Sequence, residues 1–164
     1  MRKITILTIL FLLLFTISIY NSFSLNKKLS FIYPTPYTTI SSSYGFRILY
    51  GVQNFHNGID FLAPLGSEIF ASNSGTIEYA SFLESGYGNA VIINHGNGYK
   101  TLYCHMSEDF IVHVGDYVMQ GQIIGFVGPK YLSSGIMNGN TTGPHLHFSV
   151  FYNDSTINPL DVLK

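Results

Sequence analysis

Two short motifs carry most of the chemical potential of this chain, His56-Asn57-Gly58-Ile59-Asp60 and His145-Leu146-His147. Together they offer three imidazoles and a carboxylate in a chain with only six histidines. The second motif sits in Pro144-His145-Leu146-His147-Phe148-Ser149-Val150, where polar and apolar residues alternate. Successive side chains of a strand point to opposite faces, so His145, His147 and Ser149 share one face while Leu146, Phe148 and Val150 enter a core. Zinc favours imidazole nitrogen and carboxylate oxygen, and a catalytic site keeps one of its four tetrahedral positions for water. His56, Asp60 and one histidine of the His145/His147 pair supply three ligands, and the other lies within reach of the water. Such a water, its pKa lowered to about 7, can attack an amide at neutral pH. A proton acceptor is still required, and histidine titrates in the right range. There is no His-Glu-x-x-His helix to provide a glutamate base, so imidazoles must do that work. His105 offers a further one. In Leu102-Tyr103-Cys104-His105, strand alternation puts it on the face of Tyr103 and opposite Cys104.

The elements that must hold these residues read as short strands. The chain has 164 residues, 12 tyrosines, 13 phenylalanines, 16 glycines and no long Ala/Glu/Lys/Leu run. That profile predicts one compact, all-β, largely antiparallel domain, a sheet or sandwich. Strands are expected at residues 68–71, 75–80, 89–94, 99–105, 112–114, 117–118, 123–127 and 145–152. Asn97-Gly98 between two β-rich runs is a hairpin signal, since both residues tolerate positive φ. Two stretches lack strand character, residues 47–55 before the first motif and residues 129–143 before the second. Both read as loops walling a groove.

Residues 1–24 read as a signal peptide or signal anchor: Arg2 and Lys3, an apolar or uncharged run over residues 4–20, then Ser22-Phe23-Ser24. The rest is therefore expected to be exported, to the periplasm or cell envelope, touching a membrane only through that segment if it is uncleaved. No cysteine follows the run, so a lipoprotein anchor there is not expected. Residues 25–37, with Pro34 and Pro36, read as a linker, and residues 38–164 as the functional domain. A net charge of −1 with 10% charged residues excludes a basic nucleic-acid binder. The single Cys104 excludes an internal disulfide and a multi-cysteine zinc site, and reads as a small buried hydrophobe.

From about residue 40 to 161 the chain resembles the lysostaphin-like zinc metallopeptidases, which cut peptidoglycan cross-links. The resemblance is carried by Ser43-Tyr44-Gly45-Phe46-Arg47, Phe55-His56-Asn57-Gly58-Ile59-Asp60-Phe61, Ala63-Pro64-Leu65-Gly66, Tyr87-Gly88-Asn89 and His95-Gly96-Asn97-Gly98-Tyr99. It continues through Tyr103-Cys104-His105-Met106, Val114-Gly115-Asp116-Tyr117-Val118, Gly121-Gln122-Ile123-Ile124-Gly125 and Thr142-Gly143-Pro144-His145-Leu146-His147-Phe148. It implies that domain's fold and one zinc ion per chain held by His56, Asp60 and His147, with His105 and His145 as catalytic histidines. It also suggests Tyr50, in the loop before His56, as a polariser of the scissile carbonyl. Cys104 and Met106 depart from the alanine and leucine usual in the family, and the 129–143 loop is longer than in its shortest members. The implied activity is that of a monomeric zinc endopeptidase acting on the peptide part of peptidoglycan.

Two other functions compete. A non-catalytic envelope scaffold or hydrolase activator would keep the fold without turnover, and the intact set of five site residues counts against it. A biotin- or lipoyl-carrier domain would also use short strands around glycine turns, but no lysine stands at a hairpin tip with methionine neighbours. His95 at the hairpin end reads as structural, His113 as solvent-facing, Asp116 as a turn residue and Lys130 as surface.

Overall fold

The computed structural model describes residues 11, 12, 14, 15, 29–49 and 51–164. Apart from the first four, which are helical, the expected targeting segment lies outside the described residues, as does Tyr50. Among the described residues no helix is long and apolar enough to cross a membrane.

Among the described residues twelve strands follow in order: β1 (Ile40–Ser42), β2 (Gly45–Leu49), β3 (Val52–His56), β4 (Ile59–Phe61), β5 (Glu68–Phe70) and β6 (Gly75–Leu83), then β7 (Gly88–Gly96), β8 (Tyr99–Cys104), β9 (Tyr117–Val118), β10 (Ile123–Phe126), β11 (Leu146–Tyr152) and β12 (Ser155–Ile157). All their pairings are antiparallel. The all-β antiparallel architecture is thus the one expected. The main sheet runs β1-β4-β11-β8-β7-β6-β9. One edge of β11 is shared, with β4 pairing Leu146 to Phe148 and β12 pairing Val150 to Tyr152. β7 turns into β8 through Asn97 (φ 50°) and Gly98 (φ 78°), the two successive positive φ values a tight hairpin turn needs.

The two faces of this sheet differ. Ile59, Phe61, Ile77, Val91, Ile93, Tyr103, Leu146, Phe148 and Val150 form the core, closed from the other side by Ile69 and Ile124 of the small β5–β10 sheet. The opposite face has a floor of Ala90, Leu102 and Cys104. His147 pairs with Cys104 and Ser149 with Leu102, so both site residues lie on this second face. Cys104 itself is fully buried, and burial pushes its thiol pKa well up, as befits an inert small hydrophobe.

Three expectations are corrected. Residues 47–55 are not a loop: β2 and β3 form a two-stranded ribbon outside the main sheet. Phe46 (76%) and Ile48 (78%) are exposed on it, so no buried face imposes an apolar–polar alternation that reads as a strand. Residues 112–114 are not a strand but lead into a turn in which the His113 amide donates to Asp116 Oδ2. The proline-bearing stretch is no free linker over its second half. Phe31 is fully buried and bridges Leu163, Ile32 donates to Ser72, and Phe70 donates to the Pro34 carbonyl. One buried aromatic anchors that segment, too sparse a signal for periodicity to reveal.

Candidate metal centre

β3 ends on His56, two residues turn, and β4 carries Asp60 beside β11, where Asp60 pairs directly with His147. Gly58 makes this approach possible. A Cβ at that position would stand 2.5 Å from the Phe148 carbonyl oxygen and 2.8 Å from His147 Cε1. The four-residue spacing of His56 and Asp60 thus brings two polar side chains over the start of β11.

The donor atoms meet. His56 Nε2 lies 3.0 Å from His147 Nδ1 and 3.1 Å from Asp60 Oδ1, and His147 Nδ1 lies 2.8 Å from the same oxygen. Tetrahedral zinc with bonds of about 2.0–2.1 Å needs donors roughly 3.3 Å apart, close to this triangle. The far sides of the rings are held. His56 Nδ1 faces the Ser43 carbonyl at 2.9 Å, so it carries the proton and leaves Nε2 a lone pair. The fully buried Ser149 hydroxyl, 3.0 Å from His147 Nε2, can accept a hydrogen bond from a proton carried there and leave Nδ1 bare. Three electron pairs then converge with no proton between them, an arrangement a cation stabilises. The residues present therefore fit a zinc ion. Among the described residues His56, Asp60 and His147 are the one such cluster.

The electrostatics point the same way. Burial opposes ionisation of Asp60, but hydrogen bonds and charge from His147 and His56 outweigh it and hold the carboxyl well below the usual carboxylate range. Burial pushes the His147 pKa down against the pull of Asp60, favouring the neutral ring that metal ligation needs.

His105 and His145 stand beside the triangle with ring centroids 4.6 Å apart. His145 directly precedes β11, and its Nε2 is 3.8 Å from Asp60 Oδ1. Its Nδ1 donates to the Gly143 carbonyl at 2.9 Å. His105 Nδ1 donates to the Asn138 carbonyl at 2.7 Å. Both rings therefore present a bare Nε2. Burial, with like charge from His145, takes the His105 pKa down to about 4.

The expected face of His105 is corrected. β8 ends at Cys104, Tyr103 points into the core, and His105 takes φ 58°, which breaks the alternation and swings its ring to His145. A histidine rarely adopts that left-handed backbone, and such strain gathers at functional sites. Three backbone bonds fix it there, from the His105 amide to Tyr87, from Met106 to Asn89 and from Gly128 to the His105 carbonyl.

His95 and His113 stay outside the site. The His95 ring spans the Ser74 carbonyl and the Thr101 hydroxyl, and the His113 side chain is 81% exposed. Two residues given no role from sequence support the site. Asn138 is fully buried, bonds Asn89, Met106 and Pro129 through its amide, and offers its carbonyl to His105. Arg47 approaches Asp60 from the ribbon. Arg47 lies in one of the recognised motifs, whereas nothing local to Asn138 announces it.

An all-β domain that converges two imidazoles and a carboxylate, with two more imidazoles beside them, offers a candidate metal site flanked by groups able to move protons. The pattern of peptidase family M23 matches residues 54–159, and the chain belongs to that family. It is 41% identical over 133 residues to the DD-carboxypeptidase/endopeptidase Mpg of Neisseria meningitidis serogroup B, covering 80% of this chain and 28% of the relative. It is 35% identical to the peptidoglycan DD-endopeptidase ShyC of Vibrio cholerae, covering 83% of this chain and 30% of the relative. The chain thus spans less than a third of the length of these curated relatives. The catalytic domain of lysostaphin from Staphylococcus simulans superposes with a TM-score of 0.63 at 32% identity, covering 75% of this chain and 90% of that one. The lysostaphin-like fold expected from the sequence is present.

Proposed function

We propose that this protein is a zinc-dependent endopeptidase that hydrolyses peptide cross-links of bacterial peptidoglycan. The observation that carries the reading is the His56/Asp60/His147 donor triangle with two bare imidazole nitrogens beside it. The names of the relatives supply the substrate class. His56, Asp60 and His147 would hold the ion, which when bound supplies a Lewis acid that makes water nucleophilic near neutral pH. His105 and His145 do the proton work. Their Nδ1–H groups are tied to backbone carbonyls, so each ring keeps one orientation and one free nitrogen. Burial keeps His105 neutral and able to accept a proton at physiological pH. Once protonated, an imidazole can return that proton to the leaving amine or steady the oxyanion. An exported location in the cell envelope follows from the substrate.

The test is zinc content of the purified protein together with release of new amines from peptidoglycan. One zinc per chain with chelator-sensitive release supports the reading. Zinc with no release favours a scaffold, and no zinc after reconstitution refutes the ligand assignment.

A further inference from the structure

We propose that Arg47 receives a free carboxylate of the substrate, borne on the carbon that carries the scissile amide nitrogen; this rests on the peptidase reading above. In the ribbon Gly45 pairs with His56 and Arg47 with Asn54, so Arg47 lies on the His56 side. Its Nη1 donates to the Ser42 hydroxyl and lies 3.5 Å from Asp60 Oδ2, the carboxylate oxygen turned away from the imidazoles. Its Nε is buried with no partner among the described residues. A guanidinium has five N–H donors in a planar fork suited to carboxylate, and toward the described residues only Nη1 is engaged.

Two depressions flank the metal triangle, of about 210 Å³ and about 830 Å³. Arg47, Asp60, Asn140 and His145 line both, so Arg47 stands at their junction. Among the described lining residues it is the only permanent cation, and Asp60 the only carboxylate. With Asp60 committed to the metal triangle, Arg47 is the one lining side chain complementary to an anionic group on the substrate that lies beyond the scissile amide.

Covalent geometry says which anion. In N–CH(R)–COO⁻ the carboxylate carbon lies three bonds from the scissile carbonyl carbon, roughly 3–4 Å away. A carbonyl at the triangle therefore brings that carboxylate within reach of a guanidinium already 3.5 Å from Asp60. A terminal amino acid carries this group, and so does a diaminopimelyl residue acylated on its distal amine. A glycyl-glycine bond inside a bridge carries an amide there instead. Arg47 thus directs the enzyme to D-alanyl-diaminopimelyl or D-alanyl-terminal bonds rather than to glycine bridges.

The experiment uses the zinc-loaded full chain and matched peptides whose leaving half ends in carboxylate or in carboxamide. The wild type should favour the acid about 10- to 100-fold in kcat/KM, as a charge-assisted hydrogen bond implies. Arg47→Met should bring that ratio near one, and Arg47→Lys should retain part of it. A ratio taken within one protein cancels any change in zinc loading or fold. Calorimetric binding of the acid leaving half alone should weaken in Arg47→Met, independently of turnover. Of two acid substrates, one leaving alanine and one leaving diaminopimelate, the faster identifies the source of the carboxylate. Equal cleavage of acid and amide by the wild type, or an unchanged ratio in Arg47→Met, overturns the assignment while the peptidase reading stands. Failure to cut either peptide or peptidoglycan overturns both.

Discussion

Gly58→Ala tests whether close approach of the His56–Asp60 turn to β11 builds the metal triangle. The added Cβ would lie 2.5 Å from the Phe148 carbonyl oxygen, 2.6 Å from Ser149 Oγ and 2.8 Å from His147 Cε1. Ordinary contact begins near 3.4 Å, so β4 and β11 must part by up to roughly 0.9 Å. β11 is pinned on its other side by β8, so little of that can be relieved by moving it. Overpacking of this kind costs about 1–3 kcal/mol, and a backbone obstacle puts the cost in the upper half. At about 3–5 °C per kcal/mol for a domain of this size, the melting temperature of the metal-free protein should fall by roughly 6–15 °C. The same displacement moves His147 from His56 and Asp60, so zinc affinity should fall at least about tenfold. Circular-dichroism melts and chelator competition read the two effects. Gly143→Ala is the control, because a Cβ there meets nothing within 4 Å. Melting within about 2 °C of wild type and unchanged zinc affinity in Gly58→Ala would show that the glycine is incidental.

His56→Ala and His147→Ala should abolish zinc binding, whereas His105→Ala should retain zinc and lose turnover; zinc loss in the His105 variant would contradict this division of roles. Ser149→Ala should weaken zinc about 10- to 100-fold by leaving His147 Nε2 without its partner, measurable by chelator competition, and unaltered affinity would show that the hydroxyl does not orient the ring. His95, away from the site, is held down to about 4 by burial, so below pH 6.5 the unfolded chain takes up a proton the native ring refuses. Stability should therefore fall by of order 3 kcal/mol as the pH drops from about 6.5 to 4, and His95→Gln should flatten that part of the profile. An identical pH profile in the variant would exclude His95 as its source.

What could be read from the sequence follows from how each element is buried. β11 has one face in the core and one in the site, so its alternation marked His147, Ser149 and their neighbours correctly as to side. β7 and β8 were legible for the same reason, helped by the turn chemistry of Asn97-Gly98. The β2–β3 ribbon packs neither face into the core, so its pattern carries no period to read. Arg47 was visible there as part of a motif, but its nearness to Asp60 depends on where the ribbon lies.

His105 shows the remaining limit most clearly. Alternation puts it on the face of Tyr103 and opposite Cys104, yet Tyr103 lies in the core while His105 lines the site. One positive φ reverses that assignment, and the bonds that hold it come from Tyr87, Asn89, Gly128 and Asn138, as far as 33 positions away. Asn138 explains how the strain is sustained. Its amide ties three backbone segments together while its own carbonyl accepts the hydrogen bond from His105 Nδ1–H, so the loop of residues 129–143 orients this ring as well as walling the groove. His145 is oriented by the same stretch, through Gly143 and the Thr141 hydroxyl 3.2 Å from its Nδ1. The two imidazoles proposed to share the proton work thus depend on one loop. A shift of that loop would disturb both together while leaving His56, Asp60 and His147 on their strands, so on the proposed reading it should lower turnover and spare zinc affinity.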